Sequence, residues 1–111
     1  MSLVWKDFDS YQIGYVSDSG FTGTVNACEI NCYKSNAFVA RICFIKEGLM
    51  IPANGVYSGA PYIYYPLSQF GDVIGTLRYE KPLGLYLDTD SHVGAITTGK
   101  EPVGEQESAA P

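Results

Sequence analysis

The stretch LRYEKP at residues 77–82 sets a guanidinium (Arg78), a phenol (Tyr79), a carboxylate (Glu80) and an ammonium (Lys81) side by side. A guanidinium next to a carboxylate can clamp an anionic ligand or hold a general acid or base in place. Catalysis would need a further partner at fixed spacing. None is tied to this cluster: no second carboxylate adjoins it, no GxSxG occurs, and His92 is the only imidazole. The alternative is structural. Basic side chains at a helix C-terminus complement its exposed carbonyls, worth about 0.3–1 kcal/mol each. Pro82 biases Lys81 away from helical backbone. On composition the cluster reads first as a helix stop.

Other groups are weaker still as chemistry. Asp88, Asp90 and His92 alternate across a turn, but a calcium loop needs more oxygen ligands and a glycine at a fixed place, so a solvated hairpin tip fits better. Cys28, Cys32 and Cys43 make neither an even disulfide framework nor a zinc pattern. They read as reduced thiols packed as small hydrophobes, with no metal or cofactor and a cytoplasmic setting. Tyr62, Tyr64 and Tyr65, with Tyr57 nearby, are a stacking platform for bases or sugars on one reading. On the other they fill a wet-edged sheet or an oligomer interface. Net charge decides between nucleic acid and the rest. The chain carries −5, and its seven bases are scattered, so a phosphate-binding surface is disfavoured and interface or core is preferred.

The elements that must position these residues follow from periodicity. A chain of 111 residues with 46% hydrophobic and 17% charged side chains is one globular domain. No apolar run reaches membrane-span length and no signal peptide is visible; Met1-Ser2-Leu3 is set aside as a vector remnant. Residues 11–16 form a short strand, and 22–33 alternate with Cys28, Ile30 and Cys32 on one face. Residues 38–45 are apolar on both faces apart from Arg41, which predicts a central strand. A punctuated loop with one short extended piece leads to a brief strand over 62–65. The period then changes: Leu67, Phe70, Ile74 and Leu77 mark a helix over about 67–79, packed on the sheet. Gly71 and Gly75 inside it each cost about 1 kcal/mol against Ala, which predicts close packing against the sheet, with backbone approach to a ligand or a partner helix as the alternative. Strands over 83–88 and 93–98 close a hairpin. The expected fold is α+β, a mainly antiparallel sheet of about five strands packed by one helix in the order βββ(β)αββ, with an OB-like barrel as the alternative. The domain spans 1–99. Residues 100–111 form a tail whose first part, through Val103, docks on the body and whose end is frayed.

Taken together, FVARICFIKEG (38–48), YYPLSQFGDVIGTLRYEKPLGLYL (64–87) and TTGKEPVGEQE (97–107) resemble a set of short, uncharacterised bacterial proteins associated with mobile gene cassettes such as those of integrons. The resemblance implies no activity. It does imply a shared task for Arg78, Glu80 and Glu101, either a structural ion pair or a ligand site. The function expected is that of a small non-enzymatic binding or accessory protein, homo-oligomeric, acting on a protein or small ligand. The alternative is a small enzyme or ligand-binding protein with a pocket near Arg78 and Glu80, and Tyr64 at its mouth.

Overall fold

The computed structural model of the chain describes residues 3–15, 26–80 and 83–98. Eight strands and one helix follow one another as β1 (Leu3–Phe8), β2 (Ser10–Tyr15), β3 (Asn26–Lys34), β4 (Ala37–Ile45), β5 (Gly55–Tyr57), β6 (Ala60–Pro66), a 3-10 turn (Leu67–Gln69), α1 (Phe70–Tyr79), β7 (Leu83–Asp88) and β8 (Gly94–Thr98). They form two sheets, ordered β2-β3-β4-β6-β5 and β1-β7-β8. The fold is α+β and no barrel closes. Among the described residues five of six strand pairings are antiparallel, and β4 with β6 is the parallel one.

β4 is the middle strand of the larger sheet, as its two apolar faces predict. Ala40, Ile42 and Phe44 are completely buried on one face, while Cys43 and Ile45 are buried on the other. The parallel pairing has a local cause. After β4 the chain runs outward and forms β5 at the far edge, then reverses through Ser58 and Gly59, both at positive φ (52° and 80°). This two-residue turn has the backbone hand that matches strand twist. β6 therefore returns between β5 and β4, running in β4's direction. The β3–β4 turn at Ser35 and Asn36 uses the same device, with φ of 51° and 69°.

One face of the large sheet carries the core. Cys28, Ile30 and Cys32 of β3 join Ala40, Ile42, Phe44 and Ile63 under two separate covers. The first is α1, which contributes Val73, Ile74 and Leu77, with Leu67 and Phe70 partly buried beside them. The apolar stripe thus runs as its spacing predicts, although residues 67–69 take the tighter 3-10 form. The second cover is the small sheet, through Phe8, Leu83 and Leu85. No described helix is long and apolar enough to cross a membrane.

Three features differ from expectation. β1 exists where the sequence reading places no element before residue 11; it pairs with β7 along its whole length, from Leu3 opposite Asp88 to Phe8 opposite Leu83. The hairpin β7–β8 belongs to a second sheet instead of closing the first. The helix glycines are not packing contacts among the described residues: a Cβ at Gly71 or Gly75 would meet none of them within 4 Å. The expected tail, with Glu101 and Val103, lies outside the described residues.

Two tests follow from the glycines. Since Gly71 is exposed and unobstructed, Gly71→Ala is expected to stabilise the protein by about 0.5–1 kcal/mol in chemical denaturation. A loss of stability would show that the helix needs the bare backbone. Gly84 behaves oppositely. An added Cβ there would overlap the ring of Trp5, the only tryptophan. Gly84→Ala is therefore expected to swing the indole outward, raising acrylamide quenching and costing about 1 kcal/mol of apolar contact. Unchanged quenching would place Trp5 elsewhere.

Candidate functional site

A cleft opens at one end of the seam between the two covers. It has a volume of about 690 Å³, within the roughly 300–1,000 Å³ usual for small-ligand sites. The chain enters it where β1 passes into β2, and Asp7 through Tyr11 line that side. Lys34 at the end of β3, Leu77, Arg78 and Glu80 at the helix end, and Leu83 at the start of β7 complete it. Phe8, Leu77 and Leu83 are buried core residues that reach its floor.

Each charged group arrives for a local reason. The helix stops after Tyr79: Glu80 turns to extended backbone (φ −114°, ψ 144°) while its N–H still donates to the Thr76 carbonyl. Arg78 is the basic residue of the last turn, in keeping with the exposed carbonyl ends there. Thus the helix stop and the cleft wall are the same residues. On the opposite wall Lys34 Nζ lies 3.0 Å from Asp7 Oδ2. Hydrogen bonding to Lys34 holds the Asp7 carboxyl below its usual range, and Asp7 in turn raises the Lys34 ammonium. Asp9 is anchored on both sides, its N–H donating to the Tyr33 carbonyl (2.9 Å) and its Oδ2 accepting from the Ser35 N–H (3.2 Å). Among the described residues, the Arg78 and Glu80 side chains have no hydrogen-bond or ion-pair partner.

Of the four site residues predicted from sequence, the structure brings Arg78 and Glu80 together in this cleft. Tyr64 is elsewhere. It stands on the sheet face turned away from the helix, in line with Cys43 of β4. Glu101 lies outside the described residues. Sequence reasoning missed Asp7, Asp9, Lys34 and Tyr11. The signal for them was weak, because their role depends on β1, in which Lys6 interrupts the apolar alternation.

The YIYY run of β6 splits by strand alternation. Tyr65 points inward and stacks with Phe44 at 6.0 Å between centroids, while Tyr62 and Tyr64 point outward. Burial is the main cause that pushes the Tyr64 phenol up to about 12, with Cys43, Tyr57 and Tyr62 nearby adding to it. Burial likewise pushes the Cys32 and Cys43 thiols up to about 12. All three cysteines are free and buried. Asp88 Oδ1 accepts from the Asp90 and Ser91 N–H groups, a turn that caps the β7–β8 hairpin as read from sequence. His92 adds a tie that was not foreseen. Asn54 donates to its carbonyl (2.9 Å), its Nδ1 lies 3.0 Å from the Asn54 carbonyl, and Asn54 Oδ1 accepts from the Tyr64 N–H (2.8 Å). The hairpin tip is thereby fastened to β6.

No protein-family model, curated protein or solved structure matches the chain.

The Tyr64 phenol yields a signed pH dependence. Its folded-state value of about 12 exceeds the ordinary value of 10.0, so the fold holds this proton more tightly than the unfolded chain does. That contribution is complete below pH about 10 and is lost as pH rises through about 12. Stability measured across this window should fall less steeply in Tyr64→Phe than in the parent protein. Equal slopes would mean that Tyr64 titrates like a free phenol.

Proposed function

We propose that the protein is a small non-enzymatic binding protein whose cleft takes a zwitterionic ligand with an apolar body. The observation that carries this reading is the convergence of Arg78 and Glu80, both without a partner among the described residues, over an apolar floor. The guanidinium offers a planar fork to a carboxylate, and Glu80 accepts from an ammonium. Asp7 and Lys34 already satisfy one another and Asp9 is held by Ser35, so these three shape the opposite wall. Phe8, Leu77 and Leu83 supply the surface for the ligand's apolar part. Ser10 lines the cleft, but no imidazole does, so its hydroxyl lacks the usual activating base. Binding without turnover is the function that fits. The resemblance to short bacterial cassette proteins is compatible with this proposal and adds no activity to it.

The test is a thermal-shift and calorimetric screen with free amino acids and dipeptides bearing apolar side chains. Saturable binding is expected for members with both charged ends, and weaker binding for their esters or N-acetyl forms. Arg78→Ala should reduce affinity at least about tenfold, the loss expected for a charge-assisted pair, while leaving the melting temperature nearly unchanged, because the side chain is exposed. Unaltered affinity in Arg78→Ala, or no binding across the screen, would remove this reading.

A further inference from the structure

The face of the large sheet turned away from α1 and the small sheet forms a second, distinct surface. Register sets Gln12, Asn31, Arg41 and Tyr62 abreast on β2, β3, β4 and β6. Aromatic rings continue this row in both directions. The Arg41 guanidinium carbon lies 5.4 Å from the Phe38 centroid and 5.1 Å from the Tyr62 centroid. Tyr33 packs edge-on to Phe38 at 6.2 Å, and Tyr57 packs edge-on to Tyr62 at 5.0 Å. The result is an unbroken stripe of rings, with one guanidinium set into it, from β3 to the edge strand β5. With strands about 4.8 Å apart, it runs roughly 14 Å across the sheet. Phe38 and Tyr57 keep 40% and 50% of their surfaces exposed.

The polar groups beside the rings are planar and held in place. Arg41 Nε donates to Asn31 Oδ1 at 2.7 Å, with a Glu29 carboxylate oxygen 4.0 Å away. The Tyr33 hydroxyl donates to Gln12 Oε1 at 3.2 Å. Only one of the five guanidinium N–H donors is used on Asn31, which leaves donors at the centre of the stripe. The charge of the stripe and its border is also informative. Arg41 and Glu29 cancel, so this surface is neutral in a chain of net charge −5.

We propose that this face binds a neutral oligosaccharide in extended form. A pyranose ring has an apolar C–H face and an equatorial belt of hydroxyls. The C–H face suits exposed aromatic rings, whose negative π-faces attract polarised C–H bonds. The hydroxyl belt suits planar amide, carboxylate and guanidinium groups standing beside the rings. An uncharged ligand matches the local neutrality and meets no long-range penalty from the acidic protein. A polyanion lacks this match, because Arg41 is the single base of the row and phosphate binding needs several. The length of the stripe favours several linked sugar units over one.

The experiment is titration of the intact protein with cellohexaose, maltohexaose and chitohexaose, followed by calorimetry and by backbone amide shifts. Saturable binding to at least one of these is expected, insensitive to salt, with the largest shifts at Arg41 and Tyr62. Tyr62→Ala should weaken it about tenfold or more, in line with the loss of one stacking ring. Tyr62→Phe, which keeps the ring and the packing, should retain it. Arg78→Ala should leave it unchanged, so that this surface and the cleft fail or succeed separately. No binding to any of the three sugars overturns the proposal. So does salt-sensitive binding of oligo(dT) with the same amide shifts, which would make the face a single-strand platform. A dimer in light scattering that Tyr62→Ala converts to monomer also overturns it, since a second copy would then be the occupant.

Discussion

The burial of β4 on both sides is the constraint from which the rest of the architecture follows. Its residues from Ile42 to Ile45 are all buried, and Ala40, Ile42 and Phe44 must be covered on the face that bears the core. One ten-residue helix is about 15 Å long at 1.5 Å per residue. It is too short to cover a five-stranded sheet alone. The small sheet supplies the remaining cover, and Gly94 at the start of β8 shows how closely it fits. A Cβ there would fall 2.6 Å from Ile63 Cδ1. Two covers of different shape leave a seam. The cleft is the open end of that seam, which explains why its lining combines the helix end, the start of β7 and the turn from β1 to β2.

The same division sorts the side chains by charge. Arg78, Glu80, Lys34, Asp7 and Asp9 gather at the seam, where chain reversals bring element ends together and water reaches the charged heads. The outward sheet face is dominated by rings and amides, with a single balanced pair of charges. A small protein thereby keeps an ionic surface and a neutral aromatic surface on opposite sides of one sheet. Nothing in the fold requires them to serve the same ligand.

Much of this was legible in the residue pattern, and the failures have physical reasons. β4 and α1 were readable because their periodicity reports burial directly: two apolar faces in one case, a stripe in the other. Arg78 and Glu80 were readable as a pair because they lie within one helix turn of a proline. Tyr64 was grouped with them through aromatic content alone, and alternation along β6 sends it to the other face. β1 was invisible because Lys6 sits opposite Leu85 on the inward side of the strand and blurs the alternation. The parallel β4–β6 pairing depends on where the chain turns back, which no local period encodes. Gly71 and Gly75 misled for a related reason: their cost in a helix is visible in sequence, but whether a neighbour fills the space is not.

The pairing of β1 with β7 also governs the order in which the molecule can assemble. The core strands β3 and β4 meet through a two-residue turn, so their ladder needs almost no loop closure. Among the described residues β1 pairs with no strand of its own half of the chain. It must wait for β7, some 75 to 85 residues further along, before its backbone groups are paired. Contacts of such separation are slow to form, and until they do Leu3 and Trp5 belong to an unpaired strand that any other extended chain can join. Among the described ladders this one joins the residues farthest apart in sequence, and it is there that crowding in the cell and chaperone action bear most on the yield of folded protein.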